Sequence, residues 1–169
     1  MEPRERFEEL YAAHAGVVRA YARRRMDAAA ADDLVAEVFL ALWRRLDELP
    51  TDPLPWLLGV ARRLAANRRR AEIRRGRLAE RLSRSEAVAS HDSSVLVDLD
   101  SEVLRALRSL STRDQEVLML VAWDGLDRRH AAAVLGMTPG AFAVRLHRAR
   151  RRFLRALASR NSIEVEVSR

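Results

Sequence analysis

Asp127-Arg-Arg-His-Ala-Ala-Ala-Val-Leu-Gly136 and Thr138-Pro-Gly-Ala-Phe-Ala-Val-Arg-Leu-His-Arg-Ala-Arg150 are two helix-sized stretches separated by almost nothing. Asp127 is an N-cap for the first, and Gly136 supplies the left-handed residue that ends it. Thr138 and Pro139 then give the second a capping oxygen and a first residue with its φ already set. The turn is Gly136-Met137-Thr138, so the pair reads as a helix-turn-helix. In the second helix Phe142, Leu146, Ala149 and Phe153 recur at helical spacing and face a core. Gly140, Ala141, Val144, Arg145 and Arg148 are left on the outer face, near the end that such a helix inserts into a major groove. No acidic residue occurs between Arg128 and Arg155 while eight arginines do, which is the unopposed positive field that phosphate binding needs. An ordinary helical hairpin with a solvated basic face is the bland alternative.

The wider composition agrees. With 169 residues, 49% of them hydrophobic, the chain can build its own core as one large or two small domains. Its 31 basic and 24 acidic residues leave a net charge of +7, which favours a polyanionic partner. Every basic residue other than histidine is arginine; that also fits coding bias in a GC-rich genome, so arginine number alone says little. The absence of cysteine excludes disulfides and thiolate zinc sites. The N-terminal Met1-Glu-Pro-Arg-Glu-Arg lacks the marks of a signal peptide, and no run reaches the ~20 apolar residues of a membrane span. A cytoplasmic location without membrane insertion is expected.

From Arg4 to about Met26, Phe7, Leu10, Tyr11, His14, Val17, Val18 and Tyr21 form one helical stripe. A second helix, from about Ala30 to Leu49, buries Leu34, Val35, Val38, Phe39, Leu42 and Leu46. Its other face sets Asp33, Glu37, Leu40 and Arg44 together, with Asp32 beside them. Such acids around an exposed leucine suit docking to a basic helical partner, or merely complement the helix dipole. Pro50, Pro53 and Pro55 make a stiff loop over 47–55. The third helix starts near Pro55 with Leu57, Val60, Ala61, Leu64 and Arg68 inward, and Arg62, Arg63, Ala66, Asn67, Arg69 and Arg70 outward. Trp56 at its head is either a core residue or a platform on which a base stacks.

Serines and acids over 83–98 break all periodicity and read as a linker. Val103, Leu104, Leu107 and Leu110 then begin a second helical stripe. Ser111-Thr-Arg-Asp114-Gln115 is an N-cap signal ahead of Val117, Leu118, Leu120 and Val121, and Gly125 ends that helix. Ser159–Arg169 reads as a tail, its Ile163-Glu-Val-Glu-Val167 alternation being too isolated for a strand. His14, His91, His130 and His147 are scattered without metal-ligand spacing. The chain also lacks a glycine-rich phosphate loop and a nucleophile elbow, so neither an enzyme nor a cofactor or metal site is expected.

Four ordered blocks carry a resemblance. They are Asp33-Leu-Val-Ala-Glu-Val-Phe-Leu-Ala-Leu-Trp43, Pro55-Trp-Leu-Leu-Gly-Val-Ala-Arg-Arg-Leu-Ala-Ala-Asn-Arg-Arg-Arg70, Leu110-Ser-Thr-Arg-Asp-Gln-Glu-Val-Leu-Met-Leu120 and 136–150. Together they resemble bacterial RNA polymerase sigma factors of the extracytoplasmic-function (ECF) type, over nearly everything from Phe7 to Leu157. The resemblance implies an all-α chain of two small helical domains joined by a flexible linker, the second containing the helix-turn-helix. Residues 1–82 would be a region 2 domain and 83–97 the linker, with a region 4 domain over 98–158 and a tail over 159–169.

It implies that Asp32, Asp33, Glu37 and Leu40 dock on core RNA polymerase. Trp56, Arg62, Arg63, Asn67, Arg69 and Arg70 would bind the minus-ten promoter element, and Thr138, Gly140, Ala141, Val144, Arg145 and Arg148 the minus-thirty-five element. Core polymerase, promoter DNA and an anti-sigma factor are the implied partners. Relatives often have glutamine where this chain has Ala36, and asparagine and aspartate at Arg63 and Asn67. Ala141, Ala143 and Val144 stand where threonine, lysine and serine are common, which leaves phosphate positioning dominant over direct base readout. A free-standing helix-turn-helix regulator is the alternative, but it needs a dimer seam, and none is visible.

Overall fold

A computed structural model describes residues 2–82 and 101–167, with side chains throughout except at 77–82, 101 and 160–167. The linker expected at 83–97 lies outside the described residues. Seven α-helices occur among those described: α1 Pro3–Arg23, α2 Ala28–Trp43, α3 Leu54–Leu82, α4 Ser101–Arg108, α5 Thr112–Ala122, α6 Arg128–Val134 and α7 Pro139–Val167. The chain divides into two compact units, Met1–Val95 and Leu96–Arg169.

In the first unit α1, α2 and α3 pack pairwise. Pro3 opens α1 behind a reciprocal capping box of Glu2 and Glu5. Asp27 caps α2 by accepting the Ala30 amide at 2.9 Å. All six apolar positions expected inside on the second helix are buried. That helix ends earlier than periodicity suggests, at Trp43, and a single 3-10 turn over Leu46–Glu48 carries Leu46 into the core. Pro50 ends that turn, because the residue before a proline is driven to extended backbone, as Leu49 is at ψ 141°.

In the second unit α4, α5 and α6 all pack on α7. Ser111 caps α5 through the Asp114 amide, and Asp127 caps α6 through the His130 amide at 2.8 Å. Thr138 accepts the Ala141 amide at 3.2 Å to start the last helix. Gly125 and Gly136 take the left-handed backbone, at φ 67° and 64°. Gly136 thereby closes the turn between α6 and α7, with the Met137 amide reaching back to the Ala132 carbonyl. The C-terminal residues read as a tail prove to be helical, as α7 continues to Val167. The helix runs through the short Ile163–Val167 alternation, where an isolated strand would have nothing to pair with.

A Cβ on Gly136 would meet nothing within 4 Å, so only its backbone conformation demands glycine. Gly136→Ala is therefore expected to cost about 1 kcal/mol, and Gly136→Asn less. Urea unfolding read by Trp123, in a background with Trp43 and Trp56 changed to phenylalanine, measures it.

Candidate functional site

The first candidate surface is the face of α2. Asp32, Asp33, Glu37 and Leu40 are all exposed, Leu40 to 49%. The three acids are not equivalent. The Asp32 carboxylate lies 3.3 Å from Arg19 Nε, at ion-pair distance but off the alignment of a hydrogen bond. Glu37 accepts a 2.6 Å bond from Arg68, and Asp33 makes no ion pair among the described residues. Arg68, expected on the inner stripe of the third helix, also donates to the Ala30 carbonyl at 2.7 Å. Its guanidinium thus ties α3 to the first turn and the middle of α2.

Sequence periodicity missed the feature next to this face. Tyr11, assigned to the core stripe of α1, is 39% exposed, and Trp43 at the end of α2 is 47% exposed. With Phe7 and Phe39 they form an aromatic cluster, Phe7 edge-on to Trp43 at 5.3 Å and Tyr11 to Phe39 at 4.6 Å. These rings, with Val35, Ala36 and Leu40, line an open groove of about 570 Å³ between α1 and α2. Its rim carries Arg4 bonded to Glu8 and Arg19 beside Asp32, so its charges compensate one another. Aromatics at i and i+4 on each of two adjacent helices were the available signal: Phe7 with Tyr11, and Phe39 with Trp43.

The second surface is the outer side of α3. Arg63, Asn67, Arg69 and Arg70 are exposed, Arg62 is partly exposed, and Arg70 donates to the Asn67 side chain. Trp56 is neither fully core nor a free platform, being partly buried at the head of the helix. Leu57, Leu58, Val60 and Ala61 bury the opposite side, which fixes the direction in which these basic groups project.

The third surface belongs to the helix-turn-helix. Thr138, Gly140, Ala141, Val144 and Arg148 are exposed, while Phe142, Leu146 and Ala149 are buried. Arg145 is partly covered, its guanidinium resting 3.8 Å from Met137 Sδ. At the start of α6 His130 Nδ1 sits 2.8 Å from the exposed Asp127 carboxylate. The His130 amide, helped by its imidazole, holds that carboxyl below its ordinary 3.8. The cap is therefore in force at neutral pH and is lost as pH falls below 3.8 through the lowered value. Among the described residues no group of three His, Asp or Glu side chains could hold a metal ion, and no helix is long and apolar enough to cross a membrane.

An acid-and-leucine face and a basic helix on one unit, with a helix-turn-helix on the other, place the chain among helix-turn-helix proteins that carry a second, separate helical unit. A model of sigma-70 region 2 matches residues 10–75, and one of sigma-70 region 4 matches residues 100–153. The RNA polymerase sigma factor CarQ of Myxococcus xanthus is 31% identical over 96% of this chain and 94% of its own. The probable RNA polymerase sigma factor RfaY of Xanthomonas campestris is also 31% identical over 73% of this chain, but there the match spans only 33% of the relative's length. Among solved structures, the sigma factor RpoE from Bartonella quintana, in complex with the anti-sigma factor NepR, superposes with a TM-score of 0.66. It is 25% identical over 90% of this chain and 96% of that one.

The chain belongs to the sigma-70 family and, within it, to the ECF type. It is an alternative sigma factor that directs core RNA polymerase to particular promoters. A region 2 match over 10–75 disfavours the free-standing regulator, which would need only the helix-turn-helix.

Arg68→Ala removes one half-exposed ion pair and a charge-assisted bond to a backbone carbonyl. An expected loss of about 1–2 kcal/mol in the first unit follows, to be read by urea unfolding with Trp43 and Trp56 as probes.

Proposed function

We propose that Asp32, Asp33, Glu37 and Leu40 are the polymerase-docking residues, and that the aromatic groove extends this face toward Trp43. The supporting observation is continuity: Leu40 belongs both to the acidic face and to the groove wall. A basic helical partner meets Asp33 first, because Glu37 and Asp32 already have internal partners. Apolar contact with Leu40 and Trp43 then supplies the adhesion that rim charges do not. Asp33→Arg together with Leu40→Ser is expected to weaken core-polymerase binding at least tenfold, while the circular dichroism of the chain stays unchanged. Wild-type affinity would remove the docking assignment.

On the same reading Trp56, Arg62, Arg63, Asn67, Arg69 and Arg70 engage the minus-ten element. Thr138, Gly140, Ala141, Val144, Arg145 and Arg148 engage the minus-thirty-five element. The protein acts by binding alone, in the cytoplasm, with no chemistry or cofactor of its own. Residues 1–82 and 98–158 serve as the two working domains, joined by 83–97. An anti-sigma factor restrains it, as NepR is found with its structural relative RpoE.

Without an energy source, strand opening has to come from binding unpaired bases better than paired ones. The loop over 49–53, between the 3-10 turn and α3, and the outer side of α3 are the segment suited to this. Prolines lower the cost of holding the loop open, and the exposed arginines grip the displaced strand. Stacking worth ~1–3 kcal/mol per base offsets the few kcal/mol needed to extrude one. Replacing 49–53 by a glycine-serine segment is expected to spare polymerase binding but block open-complex formation, with partial rescue on a pre-melted template. Unchanged permanganate reactivity of promoter thymines would place melting elsewhere.

A further inference from the structure

We propose that Asp114 withdraws Arg152 from the DNA-binding set of α7, and so limits how many phosphates that helix neutralises. The inference rests on the reading of α7 as the DNA-contacting helix. At about 100° per residue, Arg152 points within about 20° of Arg145 and about 40° of Arg148, one turn (about 6 Å) beyond the latter. By position it belongs to the reading stripe. By contact it does not, because its guanidinium donates a 2.6 Å bond to Asp114 Oδ2 on α5.

Asp114 is 4% exposed, the one buried charged residue among those described, whereas the Arg152 side chain is 53% exposed. The carboxylate is held in the first turn of α5, where the Ser111 cap fixes its backbone and the helix dipole favours negative charge. A buried carboxylate stripped of its partner is costly, so the pair persists whenever the unit is folded. A DNA phosphate reaching Arg152 then competes with a desolvated carboxylate already in contact. Arg148 and Arg151 are exposed and make no ion pair among the described residues, so they remain available to phosphate. Since a cation neutralised internally releases no counterion on binding DNA, Arg152 adds nothing to the salt dependence, whereas each available arginine adds about 0.9 to its slope.

The test measures binding of the full chain to a mixed-sequence DNA duplex by fluorescence anisotropy, from roughly 50 to 200 mM KCl. Arg148→Gln is expected to lower the slope by about one, a three- to fourfold loss of salt sensitivity over that range. Arg152→Gln is expected to leave slope and affinity unchanged. The Asp114→Asn/Arg152→Gln pair, which replaces the ion pair by a neutral hydrogen bond, should do the same and covers the case in which the single variant fails to fold. Asp114→Asn alone should steepen the slope by about one and tighten binding at low salt. If Arg152→Gln or the double variant loses as much slope as Arg148→Gln, or if folded Asp114→Asn leaves the slope unchanged, the proposal is overturned. Should Arg148→Gln also be silent, the reading of α7 fails with it, an outcome separable from misbehaviour at Arg152 alone.

Discussion

The second unit depends on one helix, α7, against which the other three all pack. Helix α7 gives its buried stripe, Phe142, Leu146 and Ala149, to three other helices at once. None of α4, α5 and α6 has an equivalent partner elsewhere in the unit. On the proposed reading, what remains for DNA is a narrow exposed strip, and much of it is small: Gly140, Ala141 and Val144. Small residues at the groove end allow close backbone approach but provide few hydrogen bonds to base edges. On that reading specificity leans on shape and on the arginines without internal partners, and the ion-pair state of each arginine matters more than it would in a helix rich in asparagine or glutamine.

In the first unit the same economy is applied to acids. Three carboxylates share a face of α2, yet two already have arginine partners on α1 and α3. Those pairs lie across helix boundaries, so the face proposed for docking is also part of what sets the helices relative to one another. The Arg68 bonds are the clearest case, since one side chain spans a carboxylate and a backbone carbonyl of α2. Beside them the aromatic cluster is packed by edge-to-face contact and left partly open, which is adhesive surface at low cost in side-chain entropy.

Local chemistry was legible in the sequence, and distant chemistry was not. The caps at Ser111, Asp127 and Thr138 and the left-handed Gly136 involve residues within a few positions of each other, so their sequence signals sufficed. The buried stripe of α2 was equally plain. By contrast, Arg68 with Glu37 and Arg152 with Asp114 join residues 31 and 38 apart, and such pairs leave no local trace. Tyr11 was misplaced because periodicity gives the direction of a side chain but not the width of the helix packed against it. Asp114 looked like part of a capping signal, and it is; that it is also buried could be known only once α7 was laid across it.

The two units differ in when they can be completed on the ribosome. Helices α1, α2 and α3 are consecutive, so the first unit has all its packing partners once Leu82 has emerged. At about 5–20 residues per second that precedes the end of α7 by several seconds. Helices α4, α5 and α6 emerge before the helix on which they pack, and α6 has only 7 residues, far too few to persist alone. The nascent chain therefore completes its first unit early, and its helix-turn-helix takes form only after α7 has been synthesised.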